Sequence, residues 1–290
     1  MSTAAPSQRI AFDLMLDGTG YAGTAIQPAH TPTLHRHLAG ILDHLHSGSG
    51  DSLACCSRLD AGVAAEHFPV HCDIAASWQP QRLAKAINAH LLSPQGVRHA
   101  VILRHAAVDP NWDSRRDAVA KIYRYSILVR QAPPLSSQHG HWLRHMPDFD
   151  ILQACAQSLI GTHDLVGFAC LRGDASDAYH PARSIIDSYW ECSPAPCGGT
   201  WLHYTVRGQA FLYKQVRGMV GAMLACANPR NRSADVSMFT EVIAGGRHAP
   251  RLGEIAPASG LCLIDVDYGE RIPAWKNLGN ESPVGDESRP

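Results

Sequence analysis

Arg58 and Asp60 stand in the run Cys55-Cys56-Ser57-Arg58-Leu59-Asp60-Ala61-Gly62-Val63, where every other side chain is apolar or small. A carboxylate isolated in such a setting, with a guanidinium beside it, is equipped to act as a nucleophile or a base. Residues 53–59 read as a buried strand, and residues 66–74 alternate with Phe68, Val70, Cys72 and Ile74 on one face. Gly62 interrupts the pattern as a turn or bulge residue would. Asp60 is therefore expected at a strand end, with Arg58 on the same face by the two-residue period. A guanidinium in that place favours the charged carboxylate. The competing reading of this segment alone is an Asp that caps a turn, with Arg58 as a surface partner.

The elements that must hold this pair follow from periodicity. Ile10, Phe12, Leu14 and Leu16 alternate as a strand before Asp17-Gly18-Thr19-Gly20 turns. Leu34, Leu38, Ile41, Leu42 and Leu45 recur at helical spacing behind Thr33 as cap. Residues 80–91 form a second helix opened by Pro80 with Leu83, Ile87 and Leu91 inward, and 97–104 a further strand. The order is that of a split β-α-β unit. A second half repeats it: a strand at 119–129, then a helix capped by Asp148 that carries Leu152, Cys155, Leu159 and Ile160 and closes at Gly161. Strands follow near 183–192 and 200–207, then an apolar helix over about 210–227, a short helix at 235–244, and an alternating strand from Leu261 to Tyr268. The expected fold class is α+β, two similar halves (1–110 and 111–275) forming a continuous, mostly antiparallel sheet with helices on one face. A cleft between the halves is the expected ligand site. Residues 276–290 are polar and rich in Gly, Pro and Ser, and read as a disordered tail.

Composition limits the possibilities. The chain has 290 residues, 45% hydrophobic and 18% charged, as in ordinary globular proteins. No apolar run is long enough to span a membrane and the N-terminus lacks the apolar core of a signal peptide, so the cytoplasm is the expected compartment. Nine cysteines without a CxxC read as reduced, mostly buried thiols, and seventeen histidines form no HExxH or Cys/His zinc pattern, so no metal site is expected. Net charge is −1 with a pI near 7.0, which excludes a strongly basic nucleic-acid binder. Any RNA contact must come from local patches. The candidates are Arg115, Arg116, Lys121, Arg124 and Arg130, and a second group of Arg207, Lys214, Arg217, Arg230 and Arg232; ordinary solvated charges are the alternative.

Six segments, in order over residues 9–270, resemble the TruA-type tRNA pseudouridine synthase family. Asp17-Gly18-Thr19-Gly20-Tyr21-Ala22-Gly23 is similar to its YDGTxYxG opening, and Arg58-Leu59-Asp60-Ala61-Gly62-Val63 to its GRTDAGVHA box. Lys121-Ile122-Tyr123-Arg124-Tyr125 resembles its RRYRY strand, and Gly161-Thr162-His163-Asp164-Leu165-Val166-Gly167-Phe168 its GxHDFxxF turn. Phe211 to Gly221 resembles FLxHMVRNIVG, and Ala256 to Leu263 resembles APxxGLYL. The resemblance implies isomerisation of uridine to pseudouridine, with no cofactor, because the reaction has no redox change and no external group. It implies Asp60 as the catalytic residue, Tyr123 stacked on the base with a phenol that helps remove the C5 proton, and Arg217 holding Asp60. Arg58 is a second possible partner; Arg58 and Arg115 are expected to bind substrate, and Leu261 and Leu263 to line the apolar side of the pocket. A homodimer with RNA bound across both subunits is implied as well.

The departures cluster on the parts of the family that touch RNA. A Trp-Gln-Arg-Gln-like run is Thr24-Ala25-Ile26-Gln27, the Thr before the catalytic Asp is Leu59, and Val-His-Ala is Val63-Ala64-Ala65. The Phe-His-Ala-Arg run is Trp112-Asp113-Ser114-Arg115, and the Asn after the helix Arg is Gly218. Three readings stay open on this pattern. The leading one is a divergent pseudouridine synthase acting in the tRNA anticodon arm. The second is a C-nucleoside synthase acting on free uridine or UMP in a specialised pathway. The third is a binding paralogue with little turnover, which the retention of Asp60, Tyr123 and Arg217 opposes.

Overall fold

The computed structural model describes residues 7–28, 31–46, 49–93, 96–135, 140–170, 182–196, 198–230 and 234–279. The first half runs β1 (Ser7–Leu16), α1 (Leu34–Leu45), β2 (Ala54–Cys55), β3 (Ala64–Ala75), α2 (Pro80–His90) and β4 (Ala100–Val108). The second runs β5 (Ala120–Val129), β6 (His141–Leu143), α3 (Phe149–Ser158), β7 (Gly161–Asp164), β8 (Ala182–Pro194), β9 (Thr200–Gly208), α4 (Gln215–Cys226), α5 (Val236–Gly245), β10 (Leu261–Asp267) and β11 (Lys276–Asn277).

The strands join in one sheet of order β11-β4-β1-β3-β10-β5-β9-β8-β7, with β2 beside β3 and β6 beside β5. Pairing is antiparallel except for β10 with β3 and β5 with β6. The expected α+β class with a continuous, mostly antiparallel sheet is what forms. Its centre is β10, from the second half, inserted between β3 of the first half and β5 of its own. Ile10, Phe12, Leu14 and Leu16 are buried, as their alternation requires. Helix α1 starts where the Thr33 hydroxyl accepts the Arg36 N–H, and α3 where the Asp148 carboxylate accepts the N–H groups of Asp150 and Ile151.

Several boundaries differ from those the sequence suggests. The buried strand expected over 53–59 is only the two residues of β2; from Ser57 to Asp60 the chain leaves the sheet. The helix expected from 210 begins at Gln215, because Lys214 adopts φ 60 and breaks the helical path. The apolar pair Phe211-Leu212 only mimics a first helical turn. Ile160 lies beyond α3 and is exposed. The tail expected from 276 is in part a strand: Lys276–Asn277 pair with β4, the Leu278 N–H donates to the Leu103 carbonyl, and Trp275 lies over the Arg104 guanidinium. Backbone pairing needs no apolar side chain, so polar composition concealed it. Residues 280–290 lie outside the described residues.

Helix α4 is seated by close backbone approach. A Cβ on Gly218 would overlap the Phe168 carbonyl oxygen, and one on Gly221 the Glu254 carbonyl oxygen. In a free helix Gly→Ala stabilises by about 1 kcal/mol. Here Gly218→Ala is expected to destabilise the protein by about 1–3 kcal/mol, as overpacking does. Urea unfolding checks this, and an unchanged or raised midpoint would contradict the packing described.

Candidate active site

Asp60 sits in the loop between β2 and β3, and its carbonyl accepts the Val63 N–H at 3.2 Å, closing a turn with Gly62 at φ 81. The Gly62 N–H in turn donates to the Gly18 carbonyl at 2.8 Å, so the Asp17–Gly23 segment cradles the Asp60 turn. From the other half, Arg217 on α4 places Nη1 2.8 Å from Asp60 Oδ2. The Arg217 and Asp60 side chains are 13% and 18% exposed, so the pair is largely sheltered from water. Arg217 Nε donates to the Ala256 carbonyl at 2.7 Å, and the Ala256 N–H donates to the Arg217 carbonyl at 3.1 Å. The guanidinium is thereby fixed to the segment that leads into β10.

Arg58 does not share this role. The two-residue period that put it beside Asp60 applies to a strand, and there is none at this point. Arg58 is exposed, and the ion-pair partner of Asp60 among the described residues is Arg217.

Tyr123 on β5 lies opposite Leu263 of β10, and Tyr125 opposite Leu261, so the four side chains share one face at the centre of the sheet. Both leucines are buried, and neither lines the groove beside this centre. The Tyr123 ring meets Phe211 edge-on at 5.1 Å, and its hydroxyl pairs with Ser57 Oγ at 3.2 Å. Burial pushes the Tyr123 phenol well above its ordinary range, and the Ser57 hydrogen bond only partly offsets this. Tyr123 therefore carries its proton at neutral pH and is not a resting phenolate base.

Beside this centre runs a groove of about 500 Å³ lined by Ile26, Ser57, Arg58, Arg115 and Arg116 among others. Asp60 and Tyr123 do not line it; Ser57 connects the two, with its hydroxyl on Tyr123 and its surface in the groove. Asp113, Arg115 and Arg116, which follow Trp112, also line the groove. Trp112 is buried against Tyr268 at 5.0 Å, and its indole donates to the Arg271 carbonyl. Asp113 Oδ1 accepts the N–H groups of Arg115 and Arg116, and Oδ2 accepts Arg116 Nε. Burial raises the Asp113 pKa, but these bonds outweigh it and hold the carboxyl below its usual range. The acid that departs from the family pattern thus folds the turn that presents Arg115 and Arg116.

Other basic residues are committed elsewhere. Lys121 donates to the Cys56 carbonyl at 2.8 Å beneath the loop, Arg207 pairs with Asp267 at 2.6 Å, and Arg130 donates to the carbonyls of Ala132 and Pro133. The two patches drawn from sequence are therefore not continuous basic surfaces; Arg232 lies outside the described residues. Sequence reasoning missed Ser57, Thr24 and Asp113 as builders of the site, because their value lies in hydrogen bonds to distant backbone. No group of three or more His, Cys, Asp or Glu is placed to hold a metal ion among the described residues.

The turn carrying Arg115 and Arg116 depends on a neutral histidine. The Ser114 N–H can only donate, so His71 Nδ1, 3.1 Å away, must accept. Burial, followed by the charge of Arg9, holds the His71 pKa below its ordinary value. Burial lowers His37, His105, His141 and His203 in the same direction. The unfolded chain takes up these protons below about pH 6.5 while the folded one does not, so stability is lost as pH falls through that range. The thermal midpoint is expected to drop between pH 7 and pH 5, and less steeply in His71→Asn. Equal slopes would contradict the role given to His71.

A family model described as tRNA pseudouridine synthase matches residues 155–269. The chain is 34% identical over 259 residues to tRNA pseudouridine synthase A of Methylobacterium radiotolerans, covering 87% of this chain and 94% of that protein. It is 32% identical over 276 residues to the protein of that name from Shouchella clausii, covering 95% and 97%. It is 31% identical over 261 residues to that from Bartonella bacilliformis, covering 90% and 99%. Similar to these proteins over nearly its whole length and theirs, the chain belongs to the tRNA pseudouridine synthase A family.

Proposed function

We propose that this protein isomerises uridine to pseudouridine in tRNA, with Asp60 as the reacting carboxylate. The observation that carries the reading is the Asp60 carboxylate held at 2.8 Å by Arg217, one loop away from an arginine-lined groove. The N1–C1′ bond breaks, the uracil turns, and C5 bonds to C1′; C5 loses a proton and N1 gains one. A carboxylate in this position has two routes: attack on the sugar or base to form a covalent adduct, or removal of a ribose proton to form a glycal. Both begin from the Asp60 carboxylate, which Arg217 orients.

In this reading Tyr123 is the stacking surface for the uracil. Its phenol, paired with Ser57, takes part in moving the C5 proton. Leu261 and Leu263 back the pocket with apolar surface, which strengthens the charged contacts. Arg58, Arg115 and Arg116 meet phosphates along the groove, so a chain of net charge −1 still holds RNA through a local positive surface. The relatives are named for tRNA, and nothing favours free uridine or UMP as the substrate. The family resemblance extends the proposal to the anticodon arm as target, to a homodimer, and to work in the cytoplasm. No helix is long and apolar enough to cross a membrane among the described residues.

Unmodified tRNA incubated with the protein should accumulate pseudouridine, detected by nucleoside mass spectrometry. Asp60→Asn should lower the rate by at least about a thousandfold, since it removes the reacting charge. Full activity of Asp60→Asn, or turnover of UMP with none on tRNA, would overturn the reading.

A further inference from the structure

We infer that Thr24 is a positioning residue for this reaction: it fixes the Ser57–Asp60 loop and so sets where the Asp60 carboxylate stands. The inference rests on the reading of Asp60 as the reacting carboxylate. Beyond β2 the loop loses its ladder partners. The Cys56 N–H still reaches the Pro69 carbonyl at 3.0 Å, and Lys121 holds the Cys56 carbonyl. From Ser57 to Leu59 the support comes from Thr24. Its Oγ1 accepts the Leu59 N–H at 2.8 Å and donates to the Ser57 carbonyl at 3.2 Å, and its own N–H donates to the Leu59 carbonyl at 3.1 Å. These bonds bracket Arg58 and end one residue before Asp60.

Thr24 is 4% exposed, so water does not replace its hydroxyl when that hydroxyl is lost. One oxygen serves an N–H and a C=O at once, which valine, of nearly the same shape, cannot do. The approach is close: at Gly23, φ 105, a Cβ would stand 2.7 Å from the Leu59 carbonyl oxygen. The far side of the loop is held by the Gly18–Gly62 bond, and the carboxylate itself by Arg217. Without the Thr24 hydroxyl, Asp60 stays paired but is free to shift, and a displacement of about 1 Å at a reacting group costs about a hundredfold in rate.

The test uses full-length wild type, Thr24→Val and Thr24→Ser with unmodified tRNA. In Thr24→Val, kcat is expected to fall about ten- to a hundredfold with a smaller change in KM, because Arg58 shares the loop while Arg115 and Arg116 are held by their own turn. Thr24→Ser, which keeps the oxygen, is expected to stay within about threefold of wild type in kcat. Hydrogen exchange at the Leu59 amide gives a readout without turnover: about tenfold or greater loss of protection in Thr24→Val and none in Thr24→Ser. Wild-type kcat in Thr24→Val, or an unchanged Leu59 exchange rate, would overturn the inference while leaving the role of Asp60 intact. Wild type that forms no pseudouridine would overturn the proposed function instead, and the Leu59 exchange would still decide whether the clamp exists.

Discussion

The contact between Arg217 and Asp60 is where the two halves of the protein become one site. A carboxylate on a loop between strands of the first half has no rigid element of its own. A guanidinium on α4 of the second half supplies the opposite charge and fixes the direction in which it points. For this to work α4 must not drift. Gly218 and Gly221 let it lie directly against the backbone at Phe168 and Glu254, and the double link between Arg217 and Ala256 ties it to the lead-in of β10. The same β10 carries Leu261 and Leu263 against Tyr125 and Tyr123. One strand thus joins the two halves, paired with β3 on one side and β5 on the other. Removing one partner of a buried ion pair costs about 3–5 kcal/mol, and less for a pair that is partly exposed. The contact matters more for orientation than for global stability.

The departures from the family pattern are consistent with rearrangement more than with decay. The family pattern has an aromatic after the opening glycine and a hydroxyl just before the catalytic Asp. This chain has Thr24 and Leu59 at those places, and the Thr24 hydroxyl bonds to the Leu59 amide. Asp113, where the pattern has a base-contacting His, caps the turn that offers two arginines to the groove. Gly218, where the pattern has Asn, is required by the Phe168 carbonyl. The neutral net charge is likewise a poor guide to the surface that matters, since Arg58, Arg115 and Arg116 meet along one groove.

Much of this was legible in the residues, and the exceptions share a cause. Strands β1 and β3, helices α1, α2 and α3 and the caps Thr33 and Asp148 follow from period and end signals, because each buries one regular face. Arg217 and Tyr123 were reachable only through family resemblance, since no local spacing ties α4 or β5 to residue 60. The loop at 57–60 was misread as strand because Cys, Leu and Ala suit a buried loop as well as a buried strand. The start of α4 was misread because Phe211 packs on Tyr123 rather than along the helix. Strand β11 went unseen because edge pairing can be made by polar residues. In each case long-range contact decided what local pattern left open.

The proposed role of Arg217 is to orient Asp60 as the reacting carboxylate. Its most direct test is the single-turnover rate of pseudouridine formation in Arg217→Gln, with tRNA affinity measured on the same protein. The account predicts a rate at least about a hundredfold below wild type, the scale of losing one charged group aimed at a reacting centre, with affinity within a few-fold. A wild-type rate in Arg217→Gln would contradict it.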